Sequence, residues 1–523
     1  MIRTAGPGRR FAPVLTATLA VALGVAASTL VTEPAAAAPR GHGDARWRFD
    51  DSAVTMSQVN QIIGADGLQR SGTDGSGVGV ALVDTGVVPV EGLRRTRIVE
   101  GPDLSLDSQA PQLLHRDTFG HGTHLAGIIA GTPARDGSGF TGVAPGATLT
   151  SVKVGAAAGI ADVSQVIAAV DWVVAHRNDD PAHPVRVLNL SYGTDGTQDY
   201  RSDPLTHAVE NAWRAGIVVV VAGGNGGVGS PLANPATDPF VIAVGAADPA
   251  GTLRTADDRI AEFSSRGTDA RRVDLVAPGR SMVSLRNPGS YVDEMYATAR
   301  VGANYTKGSG TSQAAAVVSG AVALLLQRRP DLTPDQVKQL LVDSARKLPR
   351  ADVDGAGAGE LNLTRALTLS PRGAAQAWAP STGLGSLEAA RGSVHIAING
   401  IELTGERHIL GPFDAATWAA RSNAGTAWVG GQWMGYGLTG DGWALSGTAE
   451  AFSGLSWSGL SWSGLSWSGL SWSGLSWSGL SWSGLSWSGL SWSGLSWSGL
   501  SWSGLSWSGL SWSGESWSAS VWG

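Results

Sequence analysis

Between about residue 77 and residue 369, short apolar runs rich in valine alternate with segments whose apolar residues recur at helical spacing, and no other feature restricts the fold as much. Strands that alternate with helices are not joined by tight hairpins. They run parallel, each crossover carries a helix, and the sheet is covered on its faces. The expected strands are residues 78–83, 148–154, 185–190, 217–222 and 240–244. A helix is expected over 162–176, where Val163, Val166, Ile167, Val170, Val173 and Val174 share one face, and another over 204–215. Residues 312–327 are rich in alanine and leucine all round, so a helix there is buried on every side and stops before Pro330. Thr333 then caps a new helix, with Pro334 at its first position, Asp335 at its positive end and Gln336 three residues after the cap. An α/β sheet of this kind presents functional groups at the carboxyl ends of its strands.

The 523 residues exceed one compact core and allow two or three units. The chain has no cysteine, which excludes a disulfide framework, a thiolate metal site and a cysteine nucleophile. A net charge of -6 with no basic stripe argues against nucleic acid as a partner. Residues 1–38 read as a signal peptide: Arg3, Arg9 and Arg10 precede an uncharged run over 11–31, and alanines at 35–38 offer a cleavage site. The same run has the length of a spanning helix, so an uncleaved anchor is the alternative. The Arg9-Arg10 pair leaves general and twin-arginine export both open.

Hydrolysis of a peptide bond without a metal needs a nucleophile, a base, a group that orients the base, and donors for the oxyanion. Val80-Ala81-Leu82-Val83-Asp84-Thr85-Gly86 is a strand that delivers a carboxylate to its carboxyl end. His121 lies in Gly120-His121-Gly122-Thr123-His124, followed by apolar Leu125-Ala126-Gly127-Ile128-Ile129, so it stands at the mouth of a buried helix. Ser312 follows Gly310-Thr311 and opens the alanine-rich helix. Taken singly each motif is weak, since aspartate favours turns for local reasons. His121 and His124 are three apart and invite a metal reading, but no further ligands at zinc spacing accompany them. His124 is expected in the core.

The order Asp84, His121, Ser312 is the subtilisin order of triad residues. With Gly142-Val143-Ala144-Pro145-Gly146-Ala147, Leu188-Asn189-Leu190-Ser191-Tyr192-Gly193, Val221-Ala222-Gly223-Gly224-Asn225-Gly226, Phe263-Ser264-Ser265-Arg266-Gly267 and Val276-Ala277-Pro278-Gly279, the chain resembles the subtilisin-like serine peptidase family from about residue 57 to 369. The resemblance implies a three-layer α/β fold with a mostly parallel sheet and a secreted endopeptidase acting on polypeptides through an acyl-enzyme. It implies Asp84, His121 and Ser312 as the triad, and Asn225 with the backbone N–H of Ser312 as oxyanion donors. Ser191, Tyr192 and Gly193 on one side, and Ala222, Gly223 and Gly224 on the other, would wall the substrate pocket. Catalysis by this scheme needs no cofactor or metal. Structural calcium, common in the family, is compatible with the chain, although no loop has EF-hand spacing. Gln313 and Ala316 stand where the family usually has methionine and proline. Between residues 39 and 56 there is only a short N-terminal segment, too small for an independently folded pro-domain. The rival readings are an inactive subtilisin-shaped binding protein and a surface adhesin that carries a peptidase.

After residue 369 the pattern changes. Residues 370–452 read as a linker or small β region with glycine, alanine and scattered tryptophan, and residues 453–523 repeat Ser-Gly-Leu-Ser-Trp. Thirteen tryptophans stand in register from Trp457 to Trp517, while Trp418, Trp428, Trp433 and Trp443 keep multiples of the same period in another phase. A period of five suits neither helix nor strand, leaving a β-solenoid or a flexible tail. Such tryptophans suit attachment to a cell surface or glycan, or self-association. On this reading a chain ending near residue 369 still cleaves peptides.

Overall fold

The computed structural model describes residues 53–348, 353–373, 375–398 and 401–438. The signal segment and the Ser-Gly-Leu-Ser-Trp repeat lie outside the described residues, as do Trp443 and residues 39–52. The valine-rich runs form a central sheet from β1 (Gly79–Asp84), β2 (Ile98–Asp103), β3 (Thr148–Lys153), β4 (Val185–Leu190), β5 (Val218–Ala222), β6 (Ile242–Asp248), β7 (Arg259–Ile260) and β8 (Leu275–Pro278). The order is β2-β3-β1-β4-β5-β6-β7, with β8 also on β6. Every pairing is parallel except that of β7 with β6. The helices are α1 (His121–Ala130), α2 (Val163–His176), α3 (Pro204–Arg214), α4 (Thr311–Arg328), α5 (Pro334–Ser344) and, beyond the sheet, α6 (Ala415–Asn423).

The connections place the site. Between β1 and β3 the chain makes the edge strand β2 and then α1, and from β3 it passes β1 to reach β4 by way of α2. α4 packs on α1 and on β4, β5 and β6, whereas α3 packs on α2 and β5. In a sheet of this kind functional groups are presented at the carboxyl ends of the strands, here those of β1 and β4. Asp162 caps α2 in a capping box with Gln165, and Thr333 caps α5 in one with Gln336 as the local sequence requires. β2 was absent from the expected strands because Gly101 and Pro102 interrupt it; the sheet accepts them because β2 is an edge strand. At the front, Val54–Thr55 pairs with Met282–Val283 and Thr55 caps a helix over Met56–Ile63, so ordered packing begins ahead of residue 57.

Residue 370 is not the edge of the folded body. Trp418 and Trp433 are fully buried, and Trp428 nearly so. The indole N–H groups of Trp418 and Trp433 donate to Asp171 Oδ2 of α2 at 2.8 and 2.9 Å, Ser422 donates to Asp171 Oδ1, and Trp428 donates to Ala168 O at 2.7 Å. Arg391 is buried against the α2 cap, Nε to Asp162 Oδ2 at 2.6 Å, and His207 of α3 bonds Ser381 O at 2.8 Å. Small two-residue β ladders do occur here, as at Trp428–Val429 with Gln432–Trp433, but the segment is part of the layer that covers α2 and α3.

Truncating a buried tryptophan to alanine costs about 3–5 kcal/mol, and three such losses rival the ~5–15 kcal/mol that holds a typical domain. A chain ending at Leu369 is therefore expected to melt far below the full chain or to fail to fold, whereas one ending after Leu438 keeps its melting temperature. Equal melting temperatures for the two truncations would show that this cover contributes little. The activity expected of a chain ending near 369 is revised accordingly: the cut belongs after residue 438.

Candidate active site

Asp84 is the last residue of β1, and its Oδ1 accepts the backbone N–H of Thr85 at 2.8 Å. His121 is the first residue of α1, and its Nδ1 lies 2.7 Å from the same Oδ1, with both side chains sealed from solvent. So close an approach needs a glycine next in the chain. A Cβ on Gly122 would stand 2.0 Å from Gly86 O and 3.1 Å from Asp84 Oδ1. The N-terminus of α1 is held by buried Asp117, which accepts from Gly120 N at 2.6 Å, Thr123 N at 2.8 Å and Thr85 Oγ1 at 2.8 Å. Thr85 Oγ1 in turn accepts from Gly122 N at 2.9 Å. Burial pushes the Asp117 carboxyl up, against the pull of these donors.

Beneath this pair lies Lys153, the residue of β3 in register with Asp84. Its ammonium donates to Thr85 O at 3.0 Å, Gly155 O at 2.8 Å and Asp107 Oδ2 at 3.0 Å. Burial alone would drive its pKa down, but the carboxylates of Asp107 and Asp103 outweigh that and hold it above its ordinary value. Sequence reasoning missed Lys153, Asp107 and Asp117 as supports. Only Lys153 gave a signal, as the single charge in the apolar run 148–154.

Ser312 is the second residue of α4 and is buried. It is tied to the carboxyl end of β4 by Ser191 Oγ, which reaches Ser312 O at 3.4 Å and accepts Asn189 Nδ2 at 3.0 Å. Asn225 follows β5. Its Oδ1 accepts both the N–H of Thr311 at 2.9 Å and the Thr311 hydroxyl at 3.0 Å, and that hydroxyl accepts Gly224 N at 3.1 Å. With its oxygen end so engaged, the carboxamide has its nitrogen as the donor end. Asp84 and His121 thus meet directly. Ser312 and Asn225 are brought to the same edge of the sheet by the packing of α4 on α1, β4 and β5.

The six expected pocket residues turn mostly inward. Ser191, Tyr192 and Ala222 are buried, the Tyr192 hydroxyl reaches Ala161 O at 3.4 Å, and Gly223 N donates to Val244 O at 2.8 Å within the sheet. Any wall they make is therefore backbone, at the half-buried Gly193 and Gly224. Gln313 and Ala316 both lie within the buried length of α4, which continues as a regular helix through them. His124 is fully buried, with Ser284 Oγ donating to its backbone carbonyl at 2.8 Å. Desolvation, followed by the neighbouring His121, pushes its pKa down to about 3, so its ring is neutral. Among the described residues no group of three or more His, Cys, Asp or Glu side chains is arranged to hold a metal ion.

The Subtilase family model matches residues 75–362, more than half of the chain. Serine protease AprX of Bacillus subtilis (strain 168) is 39% identical over 320 residues, covering 60% of this chain and 70% of its own length. Subtilisin DY of Bacillus licheniformis is 31% identical over 308 residues, covering 58% and 97%. Among solved structures, fervidolysin from Fervidobacterium pennivorans, a keratinolytic enzyme related to subtilisin, aligns at 29% identity with a TM-score of 0.48, over 60% of this chain and 45% of its own. The motifs singled out in the sequence fall within residues 75–362, as do Asp84, His121, Ser191, Asn225 and Ser312. The chain belongs to the subtilase family and is a serine endopeptidase.

Proposed function

We propose that Asp84, His121 and Ser312 act as the catalytic triad of a secreted endopeptidase. The buried 2.7 Å contact between His121 Nδ1 and Asp84 Oδ1, at the carboxyl end of β1, carries this reading. That bond fixes the proton of the neutral ring on Nδ1 and leaves Nε2 as the base. Ser312 Oγ attacks the scissile carbonyl as its proton passes to Nε2. The imidazolium, steadied by the Asp84 carboxylate, then gives that proton to the departing amine. Water repeats the sequence on the acyl-enzyme. The oxyanion is held by Asn225 and by the N–H of Ser312, which in the first turn of α4 stands outside the helical ladder. Labelling with a serine-directed fluorophosphonate, followed by peptide mapping, tests the assignment. A folded chain that takes no label at Ser312 would favour the inactive binding protein instead.

Asn225→Ala is expected to lower kcat by roughly 10²–10³ with KM little changed, because its donor faces charge present only in the transition state; the size is that known for subtilisin. A rise in KM at constant kcat would assign Asn225 to ground-state binding. Two of the matched relatives are described as extracellular, the minor protease Epr of Bacillus subtilis (strain 168) and a serine proteinase of Thermus sp. (strain Rt41A), which supports action on polypeptides outside the cell. The thirteen in-register tryptophans, with Glu515 the one charge among residues 453–523, support a surface-attachment role for the repeat.

A further inference from the structure

Between the antiparallel strands Met282–Leu285 and Tyr305–Gly308, the chain makes an excursion that carries a short helix, Tyr291–Met295. It is laid directly against the residues that precede His121. Tyr291 N donates to Thr118 O and Val292 N to Phe119 O, each at 2.9 Å, and Asn287 Nδ2 bonds Asp117 O. The Tyr291 ring stacks on Phe119, with centroids 5.6 Å apart and an interplanar angle of 13°. Val292, Ala299 and Phe119 form a small apolar cluster of their own, with Tyr296 packed on it. On its far side Phe119 abuts Gly159, where a Cβ would stand 2.7 Å from the ring, so the aromatic layer reaches to the loop that follows β3.

The excursion is held rigid. Asp293, almost fully buried, accepts from both arginines that flank it: Arg286 at 3.0 Å to Oδ2 and Arg300 at 2.8 Å to Oδ1, with Gly289 N at 3.0 Å. Arg300 also donates to Asp293 O at 2.7 Å. Among the residues this clasp presents to solvent, beside Glu294 and Thr298, are two large apolar side chains. Tyr291 is 42% and Met295 60% exposed, four apart on the helix and hence on one side of it. The strand that ends the excursion runs on through Ser309-Gly310-Thr311 into Ser312, so one segment is anchored beside the histidine and leads to the serine.

We propose that Tyr291 and Met295, on the platform of Phe119, form a subsite that receives an apolar or aromatic side chain of the substrate polypeptide close to the scissile bond. The proposal rests on the triad reading. An extended chain with its carbonyl at Ser312 must pass His121 at the start of α1, and the excursion is hydrogen-bonded to Thr118 and Phe119 just ahead of that histidine. Its occupant is a substrate side chain because the excursion is bonded to Asp117, Thr118 and Phe119, two to four residues ahead of His121, and leads directly into Ser312. The bonds that Asp293 accepts from Arg286, Arg300 and Gly289 fix the backbone on which Tyr291 and Met295 stand, which lowers the cost of binding a side chain there.

The test compares the full chain with its Tyr291→Ala/Met295→Ala variant, both checked for unchanged melting temperature, on a peptide set in which each position around one cleavage site is varied through Gly, Leu, Phe and Lys. In the unaltered protein kcat/KM is expected to favour Leu and Phe over Gly by about tenfold or more at one position, and the variant is expected to lose that preference while cleaving the Gly peptide as before. Tyr291→Phe, which keeps the ring, should retain it. An unchanged preference profile in the double variant overturns the subsite and leaves the triad standing. An unaltered chain that cleaves no peptide of the set overturns the triad reading, and the subsite with it.

Discussion

Ser312→Ala is expected to cut peptide turnover by on the order of 10⁶ while leaving the fold in place, a size carried over from subtilisin. The change removes one oxygen from the first turn of α4. Ala314, Ala315 and Ala316 follow within the same helix, and alanine propagates helix better than serine, so the helix accepts the change. The two ends of the loss are separable. Circular dichroism and melting temperature report the fold, turnover of a peptide reports the chemistry, and labelling by fluorophosphonate should vanish with the oxygen. Activity within tenfold of the unaltered chain would end the assignment of the nucleophile.

His121→Ala should be about as damaging, since a serine hydroxyl with no base is a weak nucleophile and Asp84 is then left as a buried carboxylate that has lost its ring partner. His124→Ala provides the contrast. His124 is neutral because burial and His121 hold its pKa near 3, whereas in the unfolded chain it takes up a proton below about 6.5. Its contribution to folding stability is therefore present above pH 6.5 and is lost as the pH falls toward 3. The His124→Ala chain should melt lower at neutral pH, show a shallower fall in melting temperature between pH 6.5 and 4, and keep its turnover per folded molecule. Turnover that collapses in the His124 variant, and survives in the His121 variant, would exchange their roles.

The parts of this molecule that the sequence announces are those decided locally. The α5 cap is one: a threonine, a proline and a glutamine at fixed offsets determine where the helix starts, whatever packs on it later. β4 is another: five of the six residues over Val185–Leu190 are buried, and four of the six are valine or leucine. Where a partner lies far away in the chain, the signal disappears. Asp171 sits inside an apolar stretch and looks like the polar edge of an amphipathic helix. It is buried, and only Trp418, Trp433 and Ser422, some 250 residues on, make that tolerable. The same holds for Lys153, whose partner Asp107 lies 46 residues earlier, and for the bond that Asp117 accepts from Thr85, 32 residues away. The tryptophans at 418, 428 and 433 keep the spacing of the distal repeat, and spacing alone cannot tell a plug from an exposed face. The Asp293 clasp likewise depends on two arginines that no local pattern singles out.

The buried tryptophan cover and the peptidase body are joined by an unusual strip of backbone. From Arg372 to Pro380, nearly every described residue is exposed, while the chain on either side of it is packed. Exposed backbone of this kind is where a peptidase would be expected to nick the chain. The nick would change little. Trp418, Trp428, Trp433 and Arg391 would still fasten the severed cover to α2, so the two fragments would persist as one particle, held by burial and hydrogen bonds in place of a peptide link. A break in this strip would thus sever the chain while the bonds to α2 still hold the cover in place.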